Sequence, residues 1–150
     1  MIKTYEWVSN PHFRKIFMVR GENSWEDHVN YFDNLITDKT QQAYAIFWAE
    51  RHVGNCGLKY VNKIKKCAEL WIYIGCSDTR GNGLGGRAIK VLLQNAIKHF
   101  RLTDIFVHVA ENNKSAIRLY KKNGFFKHGS CSEEWKDRET EMLRMLWRAS

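Results

Sequence analysis

Residues 79–87 read Thr-Arg-Gly-Asn-Gly-Leu-Gly-Gly-Arg and join a strand-like run to a helical one. Gly81, Gly83, Gly85 and Gly86 let main-chain N–H groups turn inward and approach an anion closely, and a helix start adds partial positive charge. A pyrophosphate is the natural guest, with Arg80 and Arg87 supplying charge nearby; the plain alternative is a flexible turn with no ligand. Gly81-x-Gly83-x-x-Gly86 formally matches a dinucleotide fingerprint, with Asp104 near the expected distance. The preceding strands read as hairpins rather than a crossover unit, and Asp104 falls at a strand's start, so that reading is set aside. A P-loop is excluded because no G-x-x-x-x-G-K-[ST] occurs. A second capable group is Glu69, which shares one strand face with Trp71 and Tyr73, where partial burial would suit proton transfer. The alternative is an exposed strand glutamate.

These groups need elements to position them. Residues 7–18 have mixed helical character. Ser24 is suited to an N-cap, with Glu26 and Asp27 complementing the helix dipole, and Trp25, Val29, Phe32 and Ile36 follow at helical spacing. Residues 43–49, 53–61 and 67–76 are short aromatic and β-branched runs separated by polar turns, an antiparallel meander. In the third, Ala68, Leu70, Ile72 and Ile74 form an aliphatic face opposite Cys67, Glu69, Trp71 and Tyr73. After the glycine-rich turn, Leu84, Ala88, Leu92, Ala96 and Phe100, flanked by Ile89, Leu93 and Ile97, mark an amphipathic helix. Residues 105–109 predict a strand and 115–123 a helix closed by Gly124. Residues 125–131 and 139–147 predict closing strands. The fold class expected is α/β (α+β): one domain over residues 1–150, a mixed, mostly antiparallel sheet with helices on both faces.

Composition narrows the function classes. The 150 residues are 44% hydrophobic and 27% charged, a globular composition. No run approaches the roughly 20 apolar residues of a membrane span, and the amino terminus lacks the order of a secretion signal, so a soluble cytoplasmic protein is expected. Cys56, Cys67, Cys76 and Cys131 form no C-x-x-C pair and read as small buried hydrophobes, and the histidines add no metal motif, so no metal is expected. The net charge of +8 favours a polyanionic partner without naming it. The short cluster Lys63-Ile64-Lys65-Lys66 reads as a solvated hairpin tip rather than a nucleic-acid patch.

The same turn also spells Arg80-x-x-Gly83-x-Gly85, which resembles the acetyl-CoA signature [QR]-x-x-G-x-[GA] of the GNAT N-acetyltransferase superfamily. Asn113-Lys114-Ser115-Ala116-Ile117-Arg118-Leu119-Tyr120-Lys121-Lys122-Asn123-Gly124-Phe125 resembles that family's N-x-x-A-x-x-L-Y-x-x-x-G-F block. The resemblance covers about residues 43–147. It implies acetyl-CoA as cosubstrate, a GNAT-like fold and acetyl transfer to a primary amine.

Carried residue by residue, the resemblance places the pantetheine arm against Tyr73, Ile74 and Gly75, where a backbone N–H would polarise the thioester carbonyl. Arg80, Gly81, Asn82, Gly83, Leu84, Gly85 and Gly86 would hold the diphosphate. Glu69 lies 11 residues before Arg80, the offset at which a glutamate serves as base in the histone-acetylating branch. His108 and Glu111 are the alternative bases. Tyr120 would protonate the CoA thiolate or orient its sulfur; without the motif it reads as a core aromatic beside Ile117. Asn113 would cap its helix and touch the pantetheine, with Ser115 beside it.

For the acceptor, Trp7, Asn10-Pro11, Phe17-Met18 and residues 25–28 resemble the opening of two branches. One acetylates the 4-amino group of nucleotide-linked deoxy-amino-sugars, as in pseudaminic acid biosynthesis; the other acetylates the α-amine of ribosomal proteins. The basic chain suits a diphosphate-bearing acceptor, and Trp7, Phe17, Trp25 or Trp48 could stack on its ring. A protein or small-amine acetyltransferase is the alternative substrate class, and a non-catalytic CoA-binding sensor the alternative of another kind. A homodimer is a family-level expectation.

Overall fold

The Asn10-Pro11 step divides the first helical stretch in two: helix α1 is Ile2–Ser9 and α2 is Pro11–Ile16. Proline at the first helical position forfeits no bond, and the Asn10 side chain accepts from the amides of His12 (2.9 Å) and Phe13 (3.3 Å). The mixed helical character read over 7–18 thus resolves into the end of α1 and the whole of α2. Met18 lies outside the described residues, which are 1–17, 23–136 and 140–150 of this computed structural model.

Helix α3, Trp25–Thr37, starts at Ser24 with a full capping box, Ser24 and Asp27 each bonding the other's amide. Its inward face differs from the expected stripe. Trp25 and Ile36 are exposed, whereas His28 is buried and Val29, Phe32 and Leu35 are half-buried. The face turns on His28, whose Nε2 lies 3.2 Å from the Met1 carbonyl, a partner no hydropathy pattern contains.

Strands β1 (Gln42–Trp48), β2 (Arg51–Asn62) and β3 (Cys67–Ile74) form the antiparallel meander. Helix α4 (Leu84–Phe100), β4 (Asp104–Ala110), α5 (Lys114–Lys122), β5 (Phe126–Lys127) and β6 (Met142–Arg148) complete the six-stranded sheet, in the order β1-β2-β3-β4-β6-β5. The contact between β3 and β4 is the parallel one; the other four pairings are antiparallel. Leu84, Ile89, Leu92, Leu93 and Ala96 of α4 are buried. Four of them, Ile89, Leu92, Leu93 and Ala96, form one core with Leu58, Leu70, Ile105, Val107 and Met145. The opposite face carries Glu69, Trp71 and Tyr73 and is covered by α1 and α2, as Phe13 packing edge-on to Tyr73 shows.

Two expected strands are shorter than their apolar runs. Strand β3 stops at Ile74, because the amides of Gly75 and Cys76 both turn to the Val53 carbonyl (2.8 and 3.2 Å) and a 3-10 turn, Ser77–Thr79, follows. Only Phe126 and Lys127 of 125–131 pair in the sheet, with Leu146 and Met145. At Gly129 a φ of +67° turns the chain away. The other closing strand begins at Met142, and Glu139 lies outside the described residues.

Helix α5 ends as its sequence dictates. Asn123 is the C-cap, Gly124 takes φ +93°, and the amides of Phe125 and Gly124 bond the carbonyls of Tyr120 and Lys121. This is the Schellman arrangement, and it fixes Tyr120 in the last turn. Of the cysteines, Cys56 is buried and Cys67, Cys76 and Cys131 are half-buried; all four are free thiols.

Candidate active site

The site begins where the sheet comes apart. β3 and β4 pair at Cys67↔Asp104, Ala68↔Ile105 and Glu69↔Phe106, and there the pairing stops, although β3 runs on to Ile74 and β4 to Ala110. The gap leaves main-chain groups of both strands facing one cleft. Which groups these are follows from the register. Gly75 donates to Val53 in line with Ile74↔Gly54 and Tyr73↔Asn55. Antiparallel partners alternate between those that exchange main-chain bonds and those that do not. Tyr73 and Trp71 therefore turn their amides to β2, while Ile72 and Ile74 turn theirs into the gap. The Ile74 carbonyl points the same way and accepts from Arg80 Nη2 at 3.0 Å. Of the expected trio Tyr73, Ile74 and Gly75, only Ile74 has an amide available to a pantetheine, and Ile72 joins it. Gly75 has a different role: a Cβ there would lie 2.0 Å from the Trp7 ring, so its missing side chain is the seat for α1.

Beyond the strand, Gly81 and Gly83 take φ +85° and +72°, and a Cβ on either would meet nothing within 4 Å. Their open faces would admit a ligand. Gly83 is the N-cap of α4 without a side-chain cap bond, so the amides of Leu84, Gly85 and Gly86 remain unbonded within the helix. That donor set suits a diphosphate. Gly85 and Gly86 also serve packing, since Cβ atoms there would lie 3.2 and 3.5 Å from Leu119. The Asn82 side chain is spent on the loop itself, donating to the Thr79 carbonyl at 2.8 Å. Asn113 caps α5, its Oδ1 accepting from Ala116 N and Ser115 Oγ, both at 3.3 Å. Its amide nitrogen is left for other partners.

Tyr120 and Glu69 both line the cleft, which measures about 1990 Å³ and runs from the glycine-rich turn past Ile72 and Trp71 to α2 and α3. A single small ligand usually occupies about 300–1,000 Å³, so there is room for a donor and an acceptor. Burial, and secondarily the charge of Glu69, push the Tyr120 phenol well above the usual tyrosine range. The hydroxyl therefore stays protonated and can donate.

Glu69 is buried, and its Oε1 is 2.5 Å from His108 Nδ1, with Lys59 Nζ 3.8 Å from Oε2. The other ring nitrogen, Nε2, accepts from the Ser132 amide at 3.1 Å. His108 is thus engaged on both sides, and neither ring nitrogen is turned to the cleft for direct contact with a substrate. Glu111 is exposed and is not among the residues lining the cleft. Of the four aromatics expected to stack on an acceptor, Phe17 lines the cleft; Trp7, Trp25 and Trp48 do not.

A buried polar group lies on the same face and has no sequence signature. The Asn55 amide donates to Tyr73 Oη (2.7 Å) and Thr4 Oγ1 (3.1 Å), and its oxygen is 2.7 Å from His52 Nε2. Burial pushes Tyr73 up to about 12, against the Asn55 hydrogen bond, which pulls the other way. Ser132 and Trp135 were equally invisible in sequence, because they reach His108 from a separate loop. Among the described residues, no group of three or more His, Cys, Asp or Glu could hold a metal, and no helix is long and apolar enough to cross a membrane.

A sheet forked between two parallel strands, an uncapped helix start at its mouth, and a buried tyrosine and glutamate in the cleft together define an acyl-CoA-type N-acyltransferase site. The chain belongs to the acetyltransferase (GNAT) domain family, whose model matches residues 2–126. It is an N-acetyltransferase of GNAT type with acetyl-CoA as donor. Acetyltransferase PseH of Campylobacter jejuni is 22% identical over 121 residues, 81% of this chain and 73% of that protein. Spermidine N(1)-acetyltransferase of Vibrio cholerae is 26% identical over 113 residues, 75% of this chain and 65% of that protein. In structure, spermidine N-acetyltransferase from Vibrio cholerae in complex with CoA and spermine superposes with a TM-score of 0.85 at 22% identity, covering 97% of this chain and 87% of that one.

Proposed function

We propose that the chain acetylates the amine of an anionic acceptor, and that a nucleotide-linked deoxy-amino-sugar fits best. The observation that carries this is the state of the cleft's carboxylates. Among the described lining residues the acids are Asp38 and Glu69, beside Arg14, Lys15, Lys39, Lys59 and Arg80. Asp38 already accepts from Thr40 N (2.9 Å), Thr40 Oγ1 (2.6 Å) and Gln41 Nε2 (2.8 Å). Glu69 is held by His108. A polyamine brings two or more ammonium groups, and each buried cation needs a partner. Asp38 is committed to its own loop and Glu69 keeps only Oε2 open, so these lining acids offer a polyamine no second carboxylate, whereas Lys15 and Lys39 suit a diphosphate. Phe13, Phe17, Trp71 and Tyr73 form a run of ring contacts along the wall (centroids 4.4 to 6.1 Å apart) that suits a planar base or sugar ring.

Bound acetyl-CoA supplies an acetyl group on a thioester. The residues that would hold it are the 80–86 loop and the α4 amides at the diphosphate, and the Ile72 and Ile74 amides along the pantetheine. One of these two amides would serve the carbonyl oxygen. The acceptor amine arrives protonated if its pKa is near that of lysine, about 10.4, and Glu69 receives that proton through water. Tyr120 hydrogen-bonds the departing sulfur.

A polyamine acceptor is the second reading, favoured by similarity to the spermidine acetyltransferases of Vibrio cholerae and Escherichia coli. Thiol release from acetyl-CoA with a nucleotide-linked 4-amino-sugar, spermidine and an amino-terminal peptide separates the readings. The sugar nucleotide is expected to have the highest kcat/KM. A tenfold preference for spermidine would overturn the anionic acceptor, and CoA binding without release for any amine would point to a sensor. Exposed Tyr44, Phe47 and Trp48 on edge strand β1 support self-association, at least as a homodimer, which sedimentation would test. The free thiols are consistent with a reducing cytoplasm.

A further inference from the structure

We infer that His108 is a positioning residue for acetyl transfer, holding Glu69 as the carboxylate that receives the amine's proton; this rests on Glu69 being the base. An amide N–H can only donate, so the Ser132 amide at 3.1 Å requires an unprotonated Nε2 on His108. The ring proton therefore sits on Nδ1 and is donated to Glu69 Oε1. The ring cannot turn away from this geometry. Its side chain is 4% exposed, and Trp135 stacks on it at 5.7 Å and 16°.

Charged and titratable groups approach the His108–Glu69 pair from each element packed against it. Lys59 on β2 lies 3.8 Å from Glu69 Oε2 and 3.4 Å from Glu134 Oε1. Tyr60 beside it has φ +53° at the β2 register shift, which turns its hydroxyl to Glu134 Oε2 at 2.7 Å. Arg144 on β6 is the cross-strand partner of His108, and its guanidinium lies over Phe106. Tyr120 on α5 feels the Glu69 charge. Among these, His108 is the group that hydrogen-bonds Glu69. A donor to the ionised form favours that form, so His108 keeps Oε1 occupied and leaves Oε2 for the water that relays the proton.

The test compares His108→Phe, His108→Asn and Glu69→Gln in the full chain, using acetyl-CoA and whichever of the three amines gives the fastest thiol release. Phenylalanine keeps the stack and removes the donor; asparagine places an amide N–H near the Nδ1 position. His108→Phe is expected to lower kcat about tenfold or more and move the acidic limb of the rate profile up by about one to two pH units, the size of a hydrogen bond to a charged group. KM for acetyl-CoA should stay within about twofold. His108→Asn should recover most of the limb, which a merely structural histidine would not allow. The amine's own titration is common to all variants and cancels. If His108→Phe does not fold, His108→Gln replaces it, since its amide reaches Ser132 but not Glu69. A limb unchanged by loss of the donor, or an asparagine variant no better than phenylalanine, overturns the role of His108. Wild-type turnover by Glu69→Gln would instead overturn Glu69 as the base.

Discussion

Replacing Tyr120 by phenylalanine removes one oxygen from the cleft and little else. The ring is buried, packs edge-on to Phe125 at 5.5 Å and belongs to the core cluster. These contacts survive, so the melting temperature should barely move. The kinetic effect can be bounded on both sides. Burial and the Glu69 charge hold the phenol well above its ordinary pKa of about 10, while a thiol titrates near 8.5. Complete proton transfer from phenol to thiolate is therefore uphill, and the role proposed for Tyr120 is that of a hydrogen-bond donor to developing negative charge on sulfur. Such a bond is worth about 1.5–3 kcal/mol, so kcat should fall roughly ten- to hundredfold with acetyl-CoA affinity nearly unchanged. Because the phenol stays protonated, the variant should keep the shape of the wild-type profile up to about pH 10. Thiol release measured across pH, with calorimetric binding of CoA, checks each part. Turnover within twofold of wild type would remove Tyr120 from the chemistry. A basic limb that vanishes with the hydroxyl would show that the phenol titrates in range and refute the electrostatic argument.

Gly83→Ala meets no atom but forces alanine to φ +72°, at a cost of about 1–2 kcal/mol. A small drop in melting temperature is expected with a tenfold or larger loss of acetyl-CoA affinity, and unchanged affinity would show that the loop does not grip the diphosphate. Gly75→Ala puts a methyl group 2.0 Å from the Trp7 ring, and overpacking of this kind costs about 1–3 kcal/mol. Trp7→Leu in the same chain should recover part of the loss in a denaturation cycle; additive losses would mean that the two residues do not meet. Asn10→Ala removes the acceptor for two α2 amides and should cost about 1 kcal/mol in urea unfolding. Burial raises the Cys56 thiol from 9.0 to about 12. Its stabilising effect is thus complete below about pH 9 and is lost as pH climbs toward 12, because the unfolded state ionises first. Cys56→Ala should flatten the fall of melting temperature over that window, and an unchanged slope would place the alkaline sensitivity elsewhere.

Local chemistry was legible where one segment contains both halves of an interaction. Ser24 and Asp27 form their capping box within four residues, and Asn113 through Gly124 encode a cap, a helix and its Schellman end. The alternation of Ala68, Leu70 and Ile72 with Glu69, Trp71 and Tyr73 assigns the two faces of β3 because strand side chains have period two. The same logic failed where a distant partner decides. The α3 stripe shifted to His28 because the Met1 carbonyl waits there. The 125–131 run is apolar enough for a strand, yet pairing ended where Gly129 adopted a positive φ.

The sequence by itself determined the family and the glycine-rich turn that opens α4, and it marked Tyr120 and Glu69 as candidates for the chemistry. These are properties of residue type and spacing along one stretch of chain. The tertiary structure decided which amides face the cleft, because their direction depends on the register between β2 and β3, where a shift of one residue would exchange Ile72 and Ile74 for Tyr73 and Gly75. It also decided that Glu69 is met by His108 across a fork in the sheet, and His108 by Ser132 from a third element. Side chains tens of residues apart have no shared periodicity to read; packing alone brings them together.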